Sequence, residues 1–196
     1  MTERPILFSG PMVRAILDGT KTQTRRVLKK QPLDVIPCLD DWVGEKWAAL
    51  LTRDPEPHGT LFRCRYGVPG DRLWVRETFA TNTLGCPNGL TYRADHLDMR
   101  GDGPANPIKW HPSIHMPRWA SRITLEIVSV RVERVQDIST ADIITEGLST
   151  TLREYDAECH LREQFETLWD SINGDKSGRS WADNPWVWCI EFRRLP

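Results

Sequence analysis

The sequence predicts one α+β domain, residues 1–196, organised around a small β-barrel with short flanking helices and long insertions. Three observations favour this fold class. Capped helical segments occur between β-rich segments, no change of composition divides the chain into two cores, and one long strand shifts its apolar phase midway. Such a shift is typical of a β-bulge, which bends a strand where a sheet curls.

The first predicted elements are a short helix and a strand or extended loop. Residues 9–11, Ser-Gly-Pro, open the helix because a capping residue precedes a proline in the first turn, and Gly19 ends it. Residues 20–27 alternate threonine with polar and basic side chains. In a regular strand, Lys21 and Thr22 therefore face opposite sides.

The middle of the chain is predicted to hold two strands. Residues 68–71, Val-Pro-Gly-Asp, form a turn signal before residues 72–79, whose aromatic and β-branched content marks a strand. A longer strand begins at Arg122. Its apolar positions change from odd to even between Ile127 and Val128, which is where the bulge is expected.

Two helices and a strand complete the predicted domain. A capping box begins at Ser139, and Ile143 and Ile144 form the buried side of a short helix that Gly147 ends. There follow a helix over residues 154–172 and a strand over residues 186–192.

Two long segments, residues 31–69 and 81–117, are rich in turn-forming residues. Proline and glycine recur in them among scattered aromatic residues. This composition favours irregular insertions at the surface of the domain.

The composition is typical of a water-soluble globular protein, with a mean hydropathy of −0.47. No apolar stretch is long enough to span a bilayer, and the first residues lack a basic-then-apolar signal sequence. We therefore expect a cytoplasmic protein with no membrane partner. The five cysteines have no CxxC spacing and are expected to be reduced thiols.

The charge is unevenly distributed along the chain. Residues 1–30 contain seven lysines and arginines against two acidic residues, although the whole chain has a net charge of −1. This local excess fits a focused site for a phosphate-bearing ligand better than a long duplex-binding groove. A solvated basic surface is the alternative explanation.

Three motifs stand out by their order along the chain. They are the helix followed by the G-x-K-T-x-T-x-R run at residues 19–26, the Pro-Gly-Asp turn at 69–71 before a strand, and the short helix that ends in Glu146-Gly147. With the terminal W-V-x-x-I-E-F strand, this order resembles the ASCH domain, a relative of the PUA barrel, over most of residues 5–195. The long insertions resemble those of phage or prophage members of that family.

The resemblance implies a small β-barrel with a cleft that binds RNA or nucleobases. One bacterial branch of the family is an amidohydrolase that removes the acetyl group from N4-acetylcytidine, using a lysine base, a threonine nucleophile and a glutamate acid. By similarity these roles correspond to Lys21, Thr24 and Glu146. The chain departs from that branch in its long insertions and in the spacing to Glu146, so its substrate is left open.

The proposed roles are chemically coherent. A threonine hydroxyl needs a nearby base to become nucleophilic, and burial beside other cations lowers the pKa of a lysine toward that role. A glutamate near an apolar helix face can protonate a leaving amine. The alternative is an ion pair between Lys21 and Glu146 that holds the helix to the barrel.

Further ligand contacts are expected around the same region and in the second insertion. Aromatic side chains can stack on unpaired bases, but most tryptophans here, such as Trp74 and Trp169, lie in patterned elements and are expected in the core. The candidate nucleic-acid or ligand contacts are Thr22, Arg25, Arg26, Arg76, Glu77, Trp110 and Trp119.

Neither a metal nor a cofactor is predicted. His111 and His115 have a spacing that suits zinc on a helix, but Pro112 and Pro117 argue against a helix there. His58, Cys64 and Cys86 form no paired CxxC motif, and phosphate-loop and dinucleotide-binding motifs are absent from the sequence.

The sequence thus leaves three functions open. The first is hydrolysis of an amide on an acylated pyrimidine nucleoside. The second is binding of RNA or a modified nucleoside without catalysis. The third is a phage-encoded protein that interacts with a host partner through its insertions.

Overall fold

The architecture is taken from a computed structural model, which describes residues 1–32, 34–37, 48–51, 60–81, 89–96, 108–152 and 154–196. Its strands are β1 (Glu3–Leu7), β2 (Gln23–Val27), β3 (Asp34–Pro37), β4 (Ala48–Leu51), β5 (Thr60–Phe62), β6 (Arg72–Arg76), β7 (Phe79–Ala80), β8 (Thr91–Tyr92), β9 (Thr124–Arg134) and β10 (Trp186–Arg194). Its α-helices are α1 (Gly10–Leu17), α2 (Thr140–Thr145) and α3 (Glu154–Asn173). The α+β fold class predicted from the sequence is confirmed.

The central feature is a mixed five-stranded sheet with the strand order β1-β6-β9-β10-β2. β1 and β6 are parallel, and the other neighbouring strands are antiparallel. β1 and β2 are the outer strands, yet a guanidinium nitrogen of Arg26 on β2 donates a hydrogen bond to the Leu7 carbonyl oxygen at the end of β1, at 2.6 Å. A side chain on one edge therefore reaches the other edge, and the sheet is barrel-like.

The bulge predicted in the long strand lies at the predicted place. Ser129 of β9 pairs with Glu191 of β10, whereas Ile127 pairs with Phe192, so Val128 has no partner residue in β10. Val128 is 51% exposed and Ile127 is buried. The extra residue lets apolar side chains on both sides of the bulge point to the same interior.

The last strand separates two hydrophobic cores. Trp188, Ile190 and Phe192 face the interior of the curled sheet, where α1 also packs. Val187 lies on the opposite face, against the core that α2 and α3 form with the sheet. Because β10 is buried on both faces, it orients the barrel-like sheet and the helical layer relative to each other.

The short helix α2 differs from the prediction in one respect. Ser139 caps it as expected, since its hydroxyl accepts a hydrogen bond from the Asp142 backbone N–H at 3.1 Å. Ile143 is buried, but Ile144 is 50% exposed, so the expectation that both isoleucines are buried is wrong for Ile144. A helix of six residues packed on one side buries only one of two adjacent positions.

The two segments predicted to be irregular contain short regular elements. Within residues 31–69, β3, β4 and β5 form a three-stranded antiparallel sheet. β8, inside the second segment, pairs with β7, which directly precedes that segment, and a further bridge joins Phe79 to His111. Glu77, predicted to be in a strand, lies between β6 and β7.

The Pro-Gly-Asp turn fixes the start of the chain to the sheet. The Asp71 carboxylate accepts hydrogen bonds from the Thr2 backbone N–H at 2.7 Å and from Arg4 at 2.8 Å. Desolvation opposes ionisation of this carboxyl, but these hydrogen bonds outweigh it and hold its pKa well below the ordinary value. The turn therefore connects β1 and β6 at their N-terminal ends.

Within the described residues, no helix is both long and apolar enough to cross a bilayer.

The adjacent isoleucines of α2 provide a matched test of the packing. Ile143→Ala is expected to reduce the free energy of unfolding by about 2–5 kcal/mol, because it leaves a cavity between α2 and the sheet. Ile144→Ala should change it by no more than about 0.5 kcal/mol, because that side chain is half in water. Urea denaturation of both variants measures the difference, and equal losses would contradict the orientation of α2.

Candidate functional site

A buried ion pair joins the end of α2 to Lys21, which lies two residues before β2. The Lys21 side chain is fully buried, and its Nζ lies 2.6 Å from Oε2 of Glu146 and 2.7 Å from the Glu146 carbonyl oxygen. The backbone is fixed in the same place, because the Lys21 N–H donates to the Ala15 carbonyl at the end of α1. α1, β2 and α2 thus meet at this pair.

The close approach depends on the glycine after Glu146. Gly147 has a φ of +94°, in the left-handed region that favours glycine. A Cβ atom at this position would lie 3.0 Å from the Ala15 Cβ and 3.1 Å from the Lys21 Cβ. The Glu-Gly sequence therefore both ends α2 and lets Glu146 approach Lys21.

Burial changes the acid–base properties of the lysine. Desolvation lowers the pKa of the Lys21 amine below its ordinary value, while the Glu146 carboxylate acts in the opposite direction. Nearby Arg26 and Arg25 add to the lowering because like charges disfavour a further cation. Lys21 is therefore better suited to accept a proton than an exposed lysine would be.

Arg25 supports Glu146 from the other side. Its buried guanidinium contacts Oε1 of Glu146 at 3.2 Å, Oδ2 of Asp142 at 3.0 Å and, through Nε, Oε1 of Glu133 at 2.7 Å. Arg131 in turn contacts Asp142 and Glu133 and completes a layer of alternating charges between the sheet and α2. Because these ions partner one another, the Glu146 carboxylate has little freedom to rotate.

A small cavity lies on the outer side of β2. It encloses about 60 Å³, and Thr24 and Glu146 line it together with one face of α3. Ile172, at the end of α3, is 46% exposed, so part of the lining is at the protein surface. The lining residues are Met12, Thr24, Arg25, Arg26, Val27, Glu146, Phe165, Leu168, Trp169, Ile172 and Asn173.

The backbone of β2 also contributes polar groups to this cavity. Leu28 N–H bonds to the Trp186 carbonyl at one end of the strand, and Phe192 N–H bonds to the Thr22 carbonyl at the other. In an antiparallel ladder the hydrogen-bonded positions alternate, so Arg25 and Val27 direct their N–H and C=O groups away from β10. β2 is an outer strand, and these groups therefore face the open side of the sheet.

Arg26 provides an unsatisfied donor in the cavity lining. Its guanidinium packs over the Phe8 ring at 5.0 Å and bonds to the Leu7 carbonyl oxygen. Its Nε is buried and has no hydrogen-bond partner among the described residues. A buried donor without a partner is unfavourable.

The three residues expected to act in catalysis are close together in the structure. Lys21 contacts Glu146 directly, and Glu146 and Thr24 line one cavity. Lys21 lies behind Glu146 and outside the cavity lining. Among the described residues, no hydrogen bond joins the Thr24 hydroxyl to Lys21 or Glu146.

The other expected ligand contacts lie elsewhere or have other partners. Arg25 lines the cavity, but its guanidinium is occupied by three carboxylates. Glu77 is buried and makes a two-fold ion pair with Arg122, away from the cavity lining, and burial raises the pKa of Glu77 in spite of this partner. Thr22 is exposed and outside the lining.

The two preferred tryptophans do not form a pair. Trp110 packs against His96, with ring centroids 6.2 Å apart, and near Arg93. Trp119 is 71% exposed, and no ring contact joins it to Trp110 in the part of the chain that the structure describes. Trp181 is buried against Phe165. Trp42, Trp47, His58 and Cys86 lie outside the described residues.

Sequence reasoning did not identify the carboxylates that surround Arg25. Asp142 lies in the capping box that begins at Ser139, and Glu133 lies in the long strand, and neither position predicts contact with Arg25. Alternation gave one usable signal, since Lys21, Gln23 and Arg25 are every second residue and all face acids of this layer. Their partners come from segments more than 100 residues away and could not be paired from spacing.

Comparison with known proteins gives little further information. No family model and no curated protein matches the chain. A crystal structure of an ASCH domain from Lactobacillus crispatus JV V101 is similar, with 12% sequence identity and a TM-score of 0.38, over 98% of this chain and 79% of that chain. Because the two structures superpose only this loosely, the similarity assigns no site residue, ligand or activity to this chain.

The buried ion pair is expected to be important for stability. Lys21→Met should reduce the free energy of unfolding by about 3–5 kcal/mol, because it leaves a buried carboxylate without its closest partner. Arg193→Met, which removes one member of an exposed pair with Glu126, should change it by about 0–1 kcal/mol. Urea denaturation at pH 7 measures both.

A double variant tests whether the loss comes from the pair itself. Adding Glu146→Gln to Lys21→Met removes the stranded charge and should restore part of the lost stability. If the double variant is less stable than Lys21→Met alone, Glu146 does not depend on Lys21 in the folded protein.

Proposed function

We propose that this chain is an ASCH-like protein that binds the base of an RNA or a nucleoside in the cavity beside β2. One observation carries the proposal: the Glu146 carboxylate, held by Lys21 and Arg25, lines the same cavity as Thr24 and Arg26. The order of the sequence motifs, which resembles the ASCH family, supports the same class of ligand.

The polar groups of the cavity complement the edge of a pyrimidine base. Glu146 can accept a hydrogen bond from an exocyclic amine or amide N–H. The outer edge of β2 adds backbone donors and acceptors at Arg25 and Val27, whose N–H and C=O groups point away from β10. Cytosine, with an N4 donor beside its ring acceptors, has this combination of groups.

The shape of the cavity favours partial entry of the base. A volume of about 60 Å³ is small for a complete nucleoside, so the sugar has to remain outside. The apolar residues of α3 contact the flat faces of the base. The exposed Ile172 marks the side of the cavity on which the sugar extends into solvent. A ligand that continues as a strand is compatible with this geometry.

Neighbouring threonines test the cavity with little effect on folding. Thr24→Val keeps the shape of the side chain and removes the hydroxyl, so it should weaken binding of cytidine or N4-acetylcytidine by about 2- to 12-fold, the equivalent of one hydrogen bond. Thr22→Val makes the same change on an exposed neighbour and should bind as the wild type does. Isothermal titration calorimetry measures both affinities.

Two results would reject this cavity as the binding site. One is the absence of binding for cytidine, N4-acetylcytidine and cytidine monophosphate by the wild-type protein. The other is an equal loss of affinity in Thr24→Val and Thr22→Val.

Amide hydrolysis is a second candidate, and the buried Lys21–Glu146 pair favours it. A proton can move along the 2.6 Å hydrogen bond from the Lys21 amine to the Glu146 carboxylate, which yields a neutral amine and a carboxylic acid. Burial lowers the pKa of Lys21 and so disfavours its charged form. The pair can then supply a base and an acid, of which Glu146 lines the cavity together with Thr24.

The reaction would proceed in two steps, acylation of Thr24 and hydrolysis of the resulting ester. The Thr24 Oγ attacks the acyl carbon, its proton passes to Lys21, and Glu146 protonates the leaving amine as the C–N bond breaks. Water then attacks the acyl-threonine ester, which releases the carboxylic acid and regenerates the hydroxyl. Substrate binding has to bring the Thr24 hydroxyl within hydrogen-bond distance of Lys21.

Turnover of N4-acetylcytidine to cytidine and acetate tests this candidate by chromatography. Thr24→Val should reduce kcat by at least about 100-fold, because it removes the nucleophile, and Thr22→Val should retain it. If the wild type releases no cytidine, the site binds without catalysis. If Thr24→Val turns over at the wild-type rate, Thr24 is not the nucleophile and the proposed mechanism is wrong.

A further inference from the structure

A continuous surface leads from the cavity to the other edge of the sheet. Arg26 lines the cavity and bonds to the Leu7 carbonyl oxygen at the end of β1. Leu7 is 40% exposed and is the register partner of Arg76 at the end of β6. Arg76 donates in turn to the Ile114 carbonyl oxygen at 3.2 Å. These contacts connect Arg26, Leu7, Arg76 and Ile114 in one row.

The row is positively charged, and the ring of Trp74 lies beneath its arginines. The Arg76 guanidinium lies over the Trp74 ring at 4.6 Å, and the Arg118 guanidinium lies 6.0 Å from the same ring. Arg118 is paired with Glu3, whereas Arg26 and Arg76 form no ion pair with a carboxylate within the described ranges. Two guanidinium groups are therefore available to an anionic ligand along the row.

Exposed apolar side chains flank these arginines. Trp119 is 71% exposed and follows Arg118 in the chain, and Ile114 is 58% exposed. An exposed tryptophan beside guanidinium groups without carboxylate partners is typical of surfaces that bind single-stranded nucleic acids, because the ring stacks on a base and the cations contact phosphates. In a duplex the base faces are already stacked, so the tryptophan has no face to contact.

We infer that this surface, formed by Arg26, Leu7, Arg76, Ile114, Arg118 and Trp119, binds the nucleotides that flank the base in the cavity. This inference rests on the proposed function and specifies its substrate as a single-stranded RNA instead of a free nucleoside. Arg26 belongs to both sites, because it lines the cavity and begins the row. The two unpaired cations favour a polyanion over a protein partner, whose apolar contacts would leave them without counter-charges.

A titration of the full chain with labelled RNA tests the inference. The probes are a cytidine-containing single strand of eight nucleotides, the same strand annealed to its complement, and cytidine alone. The single strand should bind at least tenfold more tightly than cytidine and more tightly than the duplex. Fluorescence anisotropy measures the RNA affinities, and calorimetry measures cytidine.

Two variants with matched controls locate the surface. Trp119→Ala should weaken binding of the single strand about tenfold, because it removes a ring on which a base can stack. It should leave the affinity for cytidine unchanged. Arg76→Gln should reduce the slope of log K against log salt by about 0.7, the value for one phosphate contact on a single strand. Ile144→Ala, an exposed apolar residue of α2, and Arg162→Gln, an exposed arginine of α3, should have neither effect.

The outcomes distinguish this inference from the proposed function. If cytidine binds but the single strand binds no more tightly, or if Trp119→Ala and Arg76→Gln both bind RNA as the wild type does, the surface is not an RNA site and the cavity proposal stands. If the single strand depends on Trp119 and cytidine does not bind, the surface stands and the cavity proposal fails. Equal affinity for the duplex also rejects the inference.

Discussion

The ion pair between Lys21 and Glu146 is the contact on which the arrangement of the site depends. It joins segments 125 residues apart, and its charges are almost completely removed from water. Such a pair is tolerated only when both ions have further hydrogen-bond partners. Here Arg25 contacts the Glu146 carboxylate, and the Glu146 carbonyl oxygen accepts a hydrogen bond from Lys21. α1, β2 and α2 are held together as a consequence. The same contact gives Glu146 a fixed orientation at the edge of the cavity.

The layer of charges around Arg25 gives each of its carboxylates a cationic partner beside an apolar helix. Glu133 and Arg131 come from β9, and Asp142 comes from α2, so the layer is formed by tertiary packing across the sheet. Each member has at least one partner of opposite charge, which offsets the loss of hydration. The region therefore stabilises the packing of α2 on the sheet, and removal of one charge leaves its partners without a counter-charge.

The location of the cavity follows from β2 being an outer strand. Its inner edge pairs with β10, whereas its outer edge faces α3 and leaves the backbone groups of Arg25 and Val27 open. Arg26 then connects this edge to β1 on the far side of the curled sheet. The curvature that the bulge at Val128 introduces thus brings the cavity and the row that contains Arg26 and Arg76 next to each other.

The local elements of this protein can be predicted from its sequence. Capping residues located α1 and α2, the phase shift located the bulge beside Ile127, and alternating residues showed that Lys21 and Gln23 share a face, because each of these signals depends on neighbours in the chain. Packing between distant segments sets which acids face Arg25, why Ile144 is exposed while Ile143 is buried, and why Trp119 is on the surface while Trp181 is in a core. Those outcomes depend on packing between segments remote in sequence, and the spacing of residues carries no information about which remote segments meet.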